Sequence, residues 1–247
     1  MLQRLISAWI WLVTAVVVIL WLPWLGLVFL VTAPFDPGRY IVGRWFRRSA
    51  VTCAALNPLW HFRTSGVRIR DPRRPYVAVS NHESYADIFL ISHLPWEMKW
   101  LAKAELFRIP VMGWMMRMAG DIPVHREARR SRVEALEGCR DRLRKNVSVM
   151  IFPEGTRSKT GDLLPFKDGA FRVAVEAQVP ILPLAVCGTR DAMAKGSFLF
   201  GRARAEVRAL EPVSTEGLTL RDVPELRDRV RALIAEAREE MKGSSKC

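Results

Sequence analysis

Residues 5–33 contain no charged side chain. A run of that length and character cannot be ordinary solvated surface, and about 20 apolar residues suffice for a helix to cross a bilayer. Residues 5–24 supply them. A secretory signal would be shorter and would end at small residues, whereas this run continues through Trp21-Leu22-Pro23-Trp24. Pro23 and Gly26 interrupt it, so two arrangements stay open: one spanning helix, or a hairpin of two shorter helices lying in one leaflet. Trp9, Trp11, Trp21 and Trp24 are the amphipathic rings expected at headgroup depth. Arg39, Arg44, Arg47 and Arg48 follow closely, and that excess places the rest of the chain on the cytoplasmic side. Residues 40–59 then read as a helix with apolar and basic sides, ended by Pro58. It lies either along an anionic bilayer surface or against the globular part.

Residues 1–59 are therefore expected to form an anchor, a hydrophobic helix or hairpin followed by an interfacial basic helix. Residues 60–247 are expected to form one globular domain, long enough for a proper core. Within it, short apolar runs alternate with helical patterns. Strands are expected at 62–64, 67–69, 76–80, 99–102, 121–124, 147–152, 181–186 and 205–210. Helices are expected at 85–93, 111–118, 127–145, 169–178 and 221–241. The alternation predicts an α/β fold, a mixed central sheet flanked by helices.

Lys and Arg outnumber Asp and Glu by 38 to 25, a net charge of +13. The balance points to an anionic partner, either lipid headgroups or a phosphorylated substrate. Nucleic acid is set aside, because the chain has a membrane segment and no nucleic-acid module. Cys53, Cys139, Cys187 and Cys247 are far apart, with no Cys-x2-Cys pair. Neither a zinc site nor a disulfide framework is indicated, and neither a metal nor a cofactor is expected.

The chemistry centres on Asn81-His82-Glu83-Ser84-Tyr85-Ala86-Asp87, between the apolar runs 77–79 and 88–91. The pattern is a buried strand ending at a histidine, then a turn opening a helix that carries an aspartate. Five residues apart across a turn, His82 and Asp87 can face one pocket. A carboxylate beside an imidazole fixes its tautomer and lets it take a proton from a hydroxyl.

A second loop, Phe152-Pro153-Glu154-Gly155-Thr156-Arg157, follows the β-rich run 147–151, where an open α/β sheet places ligands. Gly155 permits close backbone approach, and Arg157 offers a planar fork for phosphate. Glu154, an anion itself, suits orienting an arginine or accepting a substrate hydroxyl. Arg126 ends the run Gly120 to His125 at another strand end, and Lys103 is a further cation after a strand. Arg129, Arg130 and Arg132 read as a solvated or membrane-facing helix side.

Together, Asn81-His82-x-Ser84-x-x-Asp87, the segment Gly120 to Arg126, the Phe152 to Arg157 loop and Val179-Pro180-Ile181 resemble the four blocks of the glycerolipid acyltransferase family. The likeness is specifically to bacterial 1-acyl-sn-glycerol-3-phosphate acyltransferases, and it covers about residues 60 to 210. It implies transfer of an acyl chain from acyl-CoA or acyl-carrier protein to the sn-2 hydroxyl of lysophosphatidic acid, giving phosphatidic acid. His82 and Asp87 would be the catalytic pair. Arg126, Glu154, Gly155, Thr156 and Arg157, with Lys103, would hold the acceptor. The setting implied is the cytoplasmic face of a bacterial inner membrane, among membrane lipids. His125 departs from the pattern, standing where relatives often carry an acid.

A thioester is already activated, so only the attacking alcohol needs a base, and backbone N–H groups at the start of the helix after His82 are expected to meet the oxyanion. A hydrolase using Ser84 as nucleophile lacks a Gly-x-Ser-x-Gly elbow. A non-catalytic lipid-binding protein leaves the His–Asp pair unused.

Overall fold

The charge-free stretch folds as one helix, α1 (Leu2–Thr32), in a computed structural model that describes residues 1–125, 127–194 and 196–243. Its 31 residues reach about 46 Å at 1.5 Å per residue, beyond the ~30 Å of a bilayer's hydrocarbon core. Pro23 lies inside the helix without dividing it, so the bend between two shorter helices is not formed. A proline removes one N–H and crowds the preceding turn, which long helix on either side absorbs. One side of α1 buries Ile10, Leu25 and Val28, while Leu5, Trp9, Leu12, Ile19, Leu20 and Leu30 lie exposed. The helix is long and apolar enough to cross a membrane, and so continuous an exposed apolar side marks a surface that something apolar covers.

Helix α2 (Tyr40–Ala55) turns back against α1 and buries Val42, Phe46, Cys53 and Ala54. Its Arg47 does not join a basic outer side. The guanidinium points inward, hydrogen-bonded to Asp121 and 3.8 Å from Glu97. Lys99 completes this buried quartet, 2.9 Å from Glu97 and donating to the Arg39 carbonyl at 2.7 Å. The two positive and two negative charges balance, and removing one member of such a set costs about 3–5 kcal/mol. Gly43 is what lets α2 approach so closely, since a Cβ there would collide with both Glu97 and Lys99.

Seven strands form one mixed sheet: β1 (Trp60–Gly66), β2 (Val77–Ser80), β3 (Met98–Lys103), β4 (Ile122–Val124), β5 (Ser148–Ile151), β6 (Ile181–Cys187) and β7 (Ala203–Ala209). Their order is β1-β7-β6-β2-β5-β3-β4, and all neighbours are parallel except β6 and β7. Strand alternation sends Val77, Val79, Val149, Ile151 and Ile181 to one layer, with α5 (Arg129–Arg144), α6 (Gly169–Ala177) and α7 (Val223–Gly243). Ala78, Met150, Leu182 and Leu184 face the other, with α3 (Ala86–Ile91).

The expected strand at 67–69 is not a separate element. Gly66 has φ of +89°, a conformation favoured by glycine, and it ends β1, after which only the Val67 N–H bonds to Ala209 at 2.8 Å. Residues Ala104–Arg108 form a 3-10 helix before α4 (Met112–Ala119). Cys53 and Cys139 are buried free thiols.

The topology locates the site. From β2 the chain crosses by α3 to β3, passing β5 on one layer. From β5 it crosses by α6 to β6, passing β2 on the other. The loops leaving β2 and β5 therefore diverge, and the gap at their carboxyl ends is where open α/β sheets take ligands.

Candidate active site

His82 and Asp87 meet in that gap. Nδ1 of His82 lies 2.7 Å from Asp87 Oδ2. Oδ2 also accepts the backbone N–H groups of Glu83 at 2.8 Å and Ser84 at 3.0 Å, and the Thr189 hydroxyl donates to Oδ1. A carboxylate held this way is an acceptor, so Nδ1 carries the hydrogen and Nε2 presents its lone pair. Asp87 is fully buried, whereas the His82 side chain keeps 9% exposure. Among the described residues no hydrogen bond is made to Nε2.

The strand end is braced on all sides. Asn81 clamps β6, donating to the Val186 carbonyl at 2.9 Å and accepting its N–H at 2.8 Å. The His82 carbonyl accepts the Ser158 N–H at 2.8 Å, and its ring stacks on Phe152 with centroids 3.9 Å apart. Ser84 is committed elsewhere. Its hydroxyl donates to the Met193 carbonyl at 2.8 Å and accepts from the Ala86 N–H at 3.1 Å, which leaves it no part as a nucleophile. The backbone N–H groups of Glu83, Ser84, Ala86, Asp87 and Ile88 are all spent within the turn. The Tyr85 N–H is not among those spent donors.

The second loop divides its labour. Glu154 is buried and turned inward, accepting the His82 N–H at 2.9 Å. Burial pushes its carboxyl up to about 7, against the backbone donors His82 and Leu164. It thus touches the strand end that carries His82, not open space. Gly155 has φ of +70° and faces the Lys167 ammonium. Thr156 is exposed. The Arg157 guanidinium lies over the Tyr85 ring, 3.7 Å from its centroid. Lys103 is exposed at the end of β3, 3.7 Å from the Glu105 carboxylate. Arg126 falls outside the described residues. Of the eight expected site residues, His82, Asp87 and Glu154 are brought into direct contact.

Two cavities flank this centre. One, about 570 Å³, is bounded by Phe152, Gly155 and Lys167 with Arg129, Arg132 and Arg172. Arg129, Arg130 and Arg132 at the start of α5 are all exposed, and the first and last of them lie along the edge of this cavity. The other, about 360 Å³, is almost wholly apolar, bounded by Ile10, Trp60, Tyr85, Phe89, Trp100 and Phe200. His82 borders neither directly. Phe152 carries it at the rim of the first, and Tyr85 lies three residues on at the rim of the second. Among the described residues no group of three or more His, Cys, Asp or Glu is placed to hold a metal ion.

Sequence reasoning missed Thr189, Glu83 and Arg238. Arg238 of α7 reaches the back of the site and donates to the Glu83 carboxylate. A single polar residue in an ordinary amphipathic helix gives no signal of such reach.

A family model described as Acyltransferase matches residues 61–187. Similar curated proteins are a chloroplastic 1-acyl-sn-glycerol-3-phosphate acyltransferase of Brassica napus, 46% identical over 50% of this chain, and the human 1-acyl-sn-glycerol-3-phosphate acyltransferase alpha, 42% identical over 65%. That of Saccharomyces cerevisiae is 34% identical over 68% of the chain. The matched stretch spans 36% of the Brassica protein and 57% of each of the other two. The crystal structure of the 1-acyl-sn-glycerophosphate (LPA) acyltransferase from Thermotoga maritima shares the fold, with a TM-score of 0.77 over 97% of this chain and 96% of that one, at 24% identity.

Proposed function

The chain belongs to the acyltransferase family, and on that premise we propose that it moves an acyl chain from a thioester to the sn-2 hydroxyl of a 1-acyl-sn-glycerol 3-phosphate. The observation that carries this reading is the His82–Asp87 pair, 2.7 Å apart at a strand end set between an apolar and a basic cavity. Both substrates are amphiphiles, with an alkyl chain at one end and phosphate at the other. A centre with one cavity of each character suits them. The curated relatives are named as 1-acyl-sn-glycerol-3-phosphate acyltransferases, which supports the acceptor in this reading.

In the reaction, Nε2 of His82 takes the proton of the sn-2 hydroxyl as that oxygen attacks the thioester carbon. Asp87 holds the ring in its working tautomer and favours the imidazolium that forms. Collapse of the tetrahedral species breaks the carbon–sulfur bond, and the imidazolium returns its proton to the thiolate. The products are phosphatidic acid and a free thiol, and every proton is accounted for without an acyl-enzyme. The apolar cavity takes acyl chain. Arg129, Arg132, Arg172 and Lys167 take phosphate, Arg157 closes the rim over Tyr85, and Arg126 is the further acceptor-holding cation that the sequence motif implies. Glu154 positions His82. Lys103 meets the acceptor as it approaches from the bilayer.

The donor is acyl-CoA or acyl-carrier protein, both anionic. The exposed side of α1 and the arginines after it seat residues 1–59 in the membrane, with residues 60–247 on the cytoplasmic face, the inner membrane in a bacterial cell. An acceptor panel in mixed micelles tests the reading. Lysophosphatidic acid is expected to be acylated at least tenfold faster than neutral or zwitterionic lysolipids. Equal use of a zwitterionic lysolipid would move the assignment to another lysophospholipid, and thioester loss without any acceptor would make the protein a hydrolase.

A further inference from the structure

Helix α7 lies beyond the stretch matched by the family model, yet it sends one charge into the centre. Arg238 is only 3% exposed. Its guanidinium donates to the Glu83 carboxylate, to the Gly161 carbonyl at 2.8 Å and to the Val186 carbonyl at 3.2 Å. Those three partners belong to the loop after β2, the loop after β5, and strand β6. Val186 is also the residue clamped by Asn81, so two side chains converge on one carbonyl beside the catalytic strand end.

Glu83 is the hinge of this arrangement. Its side chain meets Arg238 while its backbone N–H donates to Asp87 at 2.8 Å, and His82 immediately precedes it. Three carboxylates, Glu83, Asp87 and Glu154, are buried around the imidazole. Facing them are Arg238 and Lys242 of α7, the Thr189 hydroxyl, and the backbone donors of His82 and Leu164. Lys242 is half-exposed and paired with Glu239 at 2.7 Å. Among the described residues Arg238 is the buried cation of the cluster.

We propose that Arg238 is a positioning residue for acyl transfer, tying the two loops and strand β6 together beneath His82 and Asp87 and balancing the carboxylates that surround them. This rests on the function proposed above. A neutral side chain could imitate some of the hydrogen bonds, but it could not supply the charge. Without that charge, buried carboxylates hold protons more tightly and an adjacent imidazolium is less repelled, so both effects move in one direction. Burial already holds the Glu83 carboxyl at about 7, with Arg238 opposing the rise.

The test compares Arg238→Met and Arg238→Lys in the full-length protein, measuring kcat and KM with lysophosphatidic acid from pH 5 to 9. Arg238→Met is expected to lower kcat at least tenfold with both KM values within about twofold, and to move the acidic limb of the kcat/KM profile upward by half a pH unit or more. Arg238→Lys is expected to return the limb to its wild-type position. A fall in kcat without displacement of the limb, or a limb that Arg238→Lys does not restore, overturns the proposal. Should Arg238→Met fail to fold, Glu83→Gln/Arg238→Met removes both members of the pair, and its limb must still lie above that of Glu83→Gln alone. A wild-type protein that acylates no lysolipid would defeat the proposed function; normal transfer by Arg238→Met would defeat only the positioning.

Discussion

The two cavities beside His82 open at the same end of one sheet and differ in almost everything else. The apolar one is walled by α1, α2, α3 and the turn before α4, elements that also bear the exposed apolar surface. The basic one is walled by α5, α6 and the loop after β5. Because β2 and β5 send their crossovers to opposite layers, His82 stands between the two cavities, with Phe152 at the rim of one and Tyr85 at the rim of the other. On the proposed function, an alkyl chain and a phosphate approach one imidazole from separate sides, as acylating an amphiphile demands.

Removing the centre itself should have the largest effect. His82→Ala and Asp87→Ala are each expected to lower kcat/KM by about 10³- to 10⁴-fold while the protein remains folded and membrane-bound. Initial rates with long-chain acyl-CoA and lysophosphatidic acid check this, and near-normal turnover in either variant would leave the two cavities without a common centre. Next is the basic side. Arg132→Ala/Lys167→Ala should raise KM for lysophosphatidic acid about 10- to 100-fold, the value of one or two charge-assisted hydrogen bonds. KM for a neutral lysolipid should hold steady, and an equal loss on both acceptors would show that the cavity does not read phosphate.

A filled apolar side should respond differently. Ala102, which borders that cavity, is expected as Phe to shift donor preference toward shorter chains by about tenfold, with the acceptor's KM little changed. Competition between short and long acyl-CoA in one reaction reads the ratio directly. The smallest effect concerns Glu154, whose raised pKa means the folded state binds its proton more tightly than the unfolded chain. Its contribution to stability is then most favourable below the ordinary carboxylate value near 4.5 and is lost as pH rises toward 7. Glu154→Gln should remove that loss, flattening the pH dependence of unfolding between pH 5 and 8 by about 1–3 kcal/mol. Chemical denaturation at several pH values would show an unchanged slope if Glu154 ionises freely.

What the sequence made readable was local. A β-rich run, a histidine, a turn and an aspartate five residues later define the centre because their geometry depends only on chain-adjacent structure. The α/β alternation was readable for the same reason. What escaped was contact between distant segments. Arg47 looked like one of several arginines on a basic helix, yet it is buried against Asp121, 74 residues away. Glu154 looked like a ligand because it stands beside Gly155 and Arg157. Only the pairing of β2 with β5 turns it onto the His82 N–H. Pro23 suggested a bend that a 31-residue helix does not make. The arginines at the start of α5 gained a cavity from α6 packing beside them, and no periodicity announces that.

The central claim is that His82 strips a proton from an acceptor hydroxyl and passes the acyl group on directly. Its most direct measurement is the initial rate of free thiol release from acyl-CoA in mixed micelles, with and without lysophosphatidic acid, in wild type and His82→Ala. The account predicts release that depends on the acceptor, matches phosphatidic acid formed, and disappears in His82→Ala. Thiol released without acceptor, or acyl transfer persisting in His82→Ala, would contradict it.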